Sequence, residues 1–205
     1  TAELIADALD LLDRVSGDRI RHELYLIFQE IEPERALARL DELDVFRHIH
    51  PSLTGNGWLQ EKFPALRDTV EAVNALPTPA EYLALLLYRL DEETSAAVME
   101  RLHIPGGDRE PVQQTQMLQA RQEALVRNGL RPSQIYRLLA DASEAARRVF
   151  AVATDSWLAR QRVVQFERQF RAIHPELSGD DLRRLGIPPG PIYRQLLSRL
   201  RDARL

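Results

Sequence analysis

The 205-residue sequence contains no cysteine, which excludes disulfide bridges and thiolate metal sites. It also lacks any apolar run approaching the roughly 18 to 20 residues that a membrane-spanning helix needs. Its opening, TAELIADALD, is acidic and amphipathic, unlike the basic-then-apolar pattern of a secretory signal. A cytoplasmic location with no membrane partner is the expectation. The chain starts at Thr1 instead of a methionine and is expected to be part of a longer protein. No phosphate-binding glycine loop, serine-nucleophile motif or alternating strand pattern is present. His48 and His50 flank Ile49 without a third ligand at recognisable spacing, so no metal site is expected there. Asp180 and Asp181 are adjacent, and neighbours on a helix point about 100° apart, which suits capping better than paired acid–base work.

What is present is a folded-protein composition, 44% hydrophobic and 28% charged, with a divided charge. Residues 1–125 carry 12 Lys+Arg against 23 Asp+Glu, a net −11, whereas residues 126–205 carry 15 against 8, a net +7. All 15 of those later cations are arginines, whose planar fork matches phosphate oxygens and stacks on bases. Such a half points to a polyanion, most simply RNA, or to a solvated, salt-bridged helical surface.

Helical periodicity runs throughout and predicts an all-α fold, an elongated array of helices. Ile20, Leu24, Ile27, Phe28 and Ile31 fall on one helical face, with Ser16 as cap and Asp18 suiting the helix dipole. Pro33 starts a second helix bearing Ala36, Leu37, Leu40 and Leu43. A helix is predicted from near Trp58 toward Asn74, bent or restarted at Pro64. Thr78 and Pro79 open a helix whose Leu85-Leu86-Leu87 run makes it central, and Asp91 caps a helix reaching His103 before the turn IPGGD. Later, Val163, Phe166, Phe170 and Ile173 share an arc of about 80°, while Arg160, Arg168 and Arg171 share another. Trp157 and Tyr193 either pack between helices or stack on bases. Arg131 and Arg137 are similarly open.

The most informative stretch is LSGDDLRRLGIPPGPIYRQLLSRL. It reads as a short capped helix, a Pro/Gly break, and a last helix beginning at Pro191 with Ile192, Leu196 and Leu200 as its packing face. The amides after Gly190 and the helix dipole offer a place for phosphate, and Arg183, Arg184 and Arg194 surround the break in sequence. A turn between two helices with no ligand is the alternative.

The run GDDLRRLGIPPGP, through Gly179, Asp180, Asp181, Leu182, Gly186, Pro189, Gly190 and Pro191, resembles the tail motif of bacterial tRNA CCA-adding nucleotidyltransferases and poly(A) polymerases of class II. Residues 10–51, from DLLDRVSGDRIRHELYLIF onward, resemble the neck of the same family, including Ser16, Asp18, Arg19 and Glu23 in the family's order. The resemblance implies a neck over residues 1–52, a helical body over 53–140 and a helical tail over 141–205. It implies a template-independent enzyme that adds CCA or poly(A) to RNA 3′ ends. This chain would be its RNA-binding C-terminal part and tRNA or another RNA the partner.

The sequence departs from the family at its catalytic end. No Gly-Ser pair followed by Asp-x-Asp, no Arg-Arg-Asp motif and no His-Asp pair occurs. The implied Mg²⁺ with ATP or CTP therefore belongs to an N-terminal catalytic head of the same protein, itself an expected partner, and no cofactor or catalytic residue is assigned to these residues. The candidate RNA contacts are Arg160, Arg168, Arg171, Arg183, Arg184, Gly190 and Arg194. The competing expectation is a non-enzymatic helical module whose basic half docks an acidic protein.

Overall fold

The structure, a computed structural model, describes residues 9–71 and 75–205. Among them every regular element is helical. A 3₁₀ turn, Leu9–Arg14, precedes α1 (Gly17–Ile27), α2 (Pro33–Glu42), α3 (Val45–Ile49) and α4 (Gly57–Glu71). Then come α5 (Pro79–Leu87), α6 (Glu92–Arg101), α7 (Gly106–Ala120), α8 (Gln122–Leu125) and α9 (Pro132–Leu139). The chain finishes with α10 (Glu144–Ala153), α11 (Trp157–Gln165) running into a π-helical turn (Phe166–Phe170), α12 (Gly179–Arg184) and α13 (Pro191–Arg204). None of these helices is long and apolar enough to cross a membrane.

Two compact units divide the chain: Thr1–Ala120 with Ala142–Thr154, and Arg121–Asp141 with Asp155–Leu205. The first is built around α5. Every side chain from Ala80 to Leu87 is buried, because three consecutive leucines leave the helix no polar face. Helices α7 and α10 pack on it, and each fully buried leucine contributes roughly 1.5 to 3 kcal/mol before entropy. Tyr82 of α5 meets Phe63 of α4 at 4.6 Å and Phe28, just past α1, at 5.6 Å between ring centres. Glu34 and Arg67 join α2 to α4 through two 2.7 Å hydrogen bonds. Burial opposes the charge on Glu34, but the Arg67 guanidinium outweighs it and holds the carboxyl below its ordinary range.

Local chemistry sets most boundaries. Thr78 and Glu81 form a reciprocal capping box at α5, and Asp91 accepts from the Thr94 amide at 2.7 Å at α6. Four expectations need correction. Helix α1 stops at Ile27, so Ile31 is 88% exposed instead of lining the core. Ser16 occupies the cap position of α1 but makes no side-chain cap bond. Helix α4 passes through Pro64 without interruption. The last three residues of the supposed turn IPGGD already open α7, where the Gly106 and Gly107 amides need no intrahelical acceptor. The predicted end of α4 near Asn74 falls outside the described residues.

In the second unit, α9 packs on the π turn and on α13, and α12 packs on α13. Tyr136 of α9 lies 5.4 Å from the Phe166 ring, and the Arg201 guanidinium sits 4.1 Å from the centre of the Tyr136 ring. The Arg171 amide donates to the Phe166 carbonyl at 2.8 Å, a five-residue closure that interrupts the 100° phase assumed from sequence. Val163, Phe166 and Phe170 are nevertheless buried, while Ile173 is only half-buried. The last helix has no fully buried residue, and Ile192, read as part of its packing face, is 42% exposed.

Candidate nucleic-acid interface

The neck motif is split by the fold into an anchor and a rim. The Ser16 carbonyl accepts from the amides of Arg19 and Ile20, starting α1. Asp18 turns away to His103, 2.9 Å from its Nδ1, and to Arg21 at 2.9 Å. The hydrogen bond with His103, helped by Arg21, holds the exposed Asp18 carboxyl below its usual range. Arg21 also donates to the carbonyls of Leu102 and His103, and Arg101 donates back to the carbonyls of Val15 and Leu12. Gly17 sits where any Cβ would lie 2.1 Å from the Arg101 carbonyl oxygen. The start of α1 is thus locked onto the end of α6. Arg19 and Glu23 take no part: both are exposed and border a cleft of about 310 Å³ floored by Leu12, Val15, Ile20 and Leu24.

The tail motif is a built corner. Ser178 and Asp181 cap α12 reciprocally, and these hydrogen bonds hold the Asp181 carboxyl below its usual range. Asp180 is outside the box. Gly186 adopts φ +78°, a left-handed conformation that ends α12 at little steric cost only without a side chain. The Tyr193 hydroxyl donates to the Ile187 carbonyl at 2.8 Å, pinning the Pro/Gly segment to α13. Gly190, Pro191, Tyr193, Arg194 and Gln195 line an open hollow of about 570 Å³ at the start of that helix. Leu185, at the end of α12, is exposed as well.

The second unit carries 14 arginines against 8 Asp+Glu, and the first 13 Lys+Arg against 23, so the units bear +6 and −10. Many of these arginines are structural. Arg162, 8% exposed, donates to the carbonyls of Leu125 and Arg127 at the end of α8, and burial lowers its pKa. Arg137 pairs with Asp202, and Arg204 donates to the His174 carbonyl at 2.9 Å. Among the candidate contacts, Arg171 pairs with Glu167 at 3.0 Å and Arg184 with Asp181 at 3.2 Å, both at the surface. Arg168, Arg183 and Arg194 are exposed, and their side chains make no hydrogen bond or ion pair among the described residues. Arg160 is exposed on α11. The fold therefore sets Arg183, Arg184, Gly190 and Arg194 on the packed pair α12–α13, and Arg160, Arg168 and Arg171 on α11 and the π turn.

Residues 1–55 match a family described as the probable RNA- and SrmB-binding site of polymerase A. The whole chain aligns at 32% identity with an A-adding tRNA nucleotidyltransferase of Geobacter sulfurreducens. Over 91% of its length it is 24% identical to an A-adding tRNA nucleotidyltransferase of Halalkalibacterium halodurans. The chain is thus similar along its whole length to a part of tRNA nucleotidyltransferases, and its first 55 residues carry the RNA-binding region of the polymerase A family. It spans 25% and 42% of those two relatives. Solved structures share the fold: a CCA-adding enzyme with ATP superposes over 99% of this chain with a TM-score of 0.73 at 20% identity, covering 50% of that enzyme. A Thermotoga maritima CCA-adding enzyme complexed with tRNA gives 0.70 over 98% of this chain at 21% identity, again covering half of the solved chain.

Phosphoryl transfer assisted by a divalent metal requires closely placed carboxylates on a rigid scaffold. Among the described residues no group of three or more His, Asp or Glu side chains is placed to hold a metal ion. One feature escaped the sequence reading, and the packing alternative for a second does not hold. Arg162 looks like any other arginine until α8 is seen to end against it. Trp157, for which packing between helices was one expectation, is 69% exposed. The one available signal was its place at the first position of a helix whose buried face begins two residues later.

Proposed function

We propose that this chain is the RNA-gripping region of an enzyme that extends RNA 3′ ends. The transfer would be performed with ATP or CTP and Mg²⁺ by a catalytic head outside these residues. The observation that carries the reading is the concentration of +6 in the second unit, where the family's tail motif also lies. Arg168, Arg183 and Arg194 are open to solvent and phosphate, with Arg160, Arg171, Arg184 and the α13 start at Gly190 on or beside the same elements, α11 with its π turn and the pair α12–α13. Surface pairs such as Arg184–Asp181 cost little to exchange for a phosphate contact. Recognition would be by shape and backbone, because the A-form major groove is too deep and narrow for side chains to read. The tRNA-bound Thermotoga maritima relative and the A-adding names of both curated relatives support tRNA as the RNA and A as the added nucleotide.

Binding of fluorescein-labelled tRNA to the chain tests this, with a polyglutamate peptide as competitor. The expected result is tRNA binding that polyglutamate displaces only at large excess. Preferential binding of polyglutamate, with no detectable tRNA binding at low salt, would favour an acidic-protein docking module.

A further inference from the structure

The chain has two tryptophans in opposite situations. Trp58 stacks on Tyr88, with ring centres 5.8 Å apart and planes within 15°, and the Arg89 guanidinium covers it at 4.6 Å. Trp157 is 69% exposed at the first position of α11. It is held there by a well-formed helix start, since the Ser156 hydroxyl accepts from the Ala159 amide at 3.2 Å. At 100° per residue, the buried Ala159, Arg162, Val163 and Phe166 fall within about 100° of one another on one side of the helix. Trp157, Arg160, Gln161 and the half-buried Val164 occupy an arc of similar width centred opposite. That outer arc contains no carboxylate, and the exposed Arg168 follows in the adjoining π turn. An indole left in water is unfavourable, and a helix first position needs no aromatic. Here the indole shares its face with the exposed Arg160 and Gln161, in the unit with the positive charge.

We infer that Trp157 is a base-stacking platform, taking the π-face of an unpaired nucleotide while Arg160 and Arg168 hold the adjoining phosphates. This rests on the RNA-gripping reading above and adds a contact to it. A stacked base is sequence-tolerant, because every base has a π-face, and requires that the base be splayed from its helix. Recognition would thus be directed to an unpaired position beside a duplex. Since the indole is neutral, the contact adds affinity without adding to the salt dependence.

Tryptophan emission and affinity measured together provide the test. The probes are an RNA stem-loop and a blunt duplex of the same stem, titrated into wild type, Trp157→Phe and Trp157→Ala. Far-UV circular dichroism and melting should be unchanged, because the side chain is outside the core. The stem-loop is expected to quench wild-type emission and leave the emission of Trp157→Phe, which reports Trp58 alone, unaltered. Affinity for the stem-loop should fall by about 5- to 100-fold in Trp157→Ala and be largely retained in Trp157→Phe. Affinity for the duplex should not change in either. Stem-loop binding with no quenching and equal affinity in all three proteins would overturn the inference and leave the RNA reading intact. Absence of binding to either RNA would overturn both.

Discussion

At the scale of single residues, the second unit shows that identical side chains do different work according to what surrounds them. Arg162 and Arg168 stand six positions apart, one closing the exposed carbonyls of α8 from a buried position and the other facing solvent. Arg162→Ala should lower stability by about 2 to 3 kcal/mol, measured by urea unfolding, because buried carbonyls lose a charged donor. Arg168→Ala should stay within about 0.5 kcal/mol of wild type and weaken RNA binding instead. The sequence showed the arginine excess but not this partition, since burial of a guanidinium depends on which distant carbonyls need it. Glu34 gives a pH-dependent case. Its folded carboxyl lies below the ordinary value of 4.5, so the Arg67 pair stabilises above that pH and is lost as pH falls through the folded value. Glu34→Gln should therefore cost about 2 to 3 kcal/mol at neutral pH. Its melting deficit should narrow below about pH 4.5 as wild type protonates.

At the scale of elements, what the sequence made legible were helices whose starts depend on neighbouring residues. Thr78 and Asp91 cap where the pattern placed them, because a hydroxyl or carboxylate reaches an amide three residues on whatever lies beyond. Ser16 fits the same pattern and does not cap, because the first turn of α1 is held by Asp18–His103 and by Arg101, more than eighty residues away. The neck motif was thus recognisable before its mechanical role was. Gly17 belongs to that role: Gly17→Ala should force α1 off the end of α6, costing about 1 to 3 kcal/mol by thermal or urea unfolding. A melt equal to wild type would show that the α1–α6 junction yields. The π turn after Gln165 was invisible to a constant angular step, which carries no information about where a helix widens.

At the scale of the whole molecule, charge is segregated by unit, −10 against +6, nearly as sharply as by the sequence division of −11 against +7. Helix α10 brings Arg147 and Arg148 into the acidic unit, where Arg147 donates to the Ala142 carbonyl and Arg148 meets Glu81 at 3.3 Å. Remaining in the second unit are the tail motif and every candidate RNA contact. A grip made of phosphate contacts has a definite thermodynamic signature, because each neutralised phosphate releases counterions. The direct measurement is the slope of log K for tRNA binding against log salt, for wild type and for the triple variant Arg168→Ala, Arg183→Ala, Arg194→Ala. A steep negative slope is predicted for wild type, made shallower by about 2 to 3 in the triple variant, with an unchanged melting curve. A wild-type slope near zero, or one that the triple variant leaves unaltered, would contradict the assignment of these arginines to the RNA backbone.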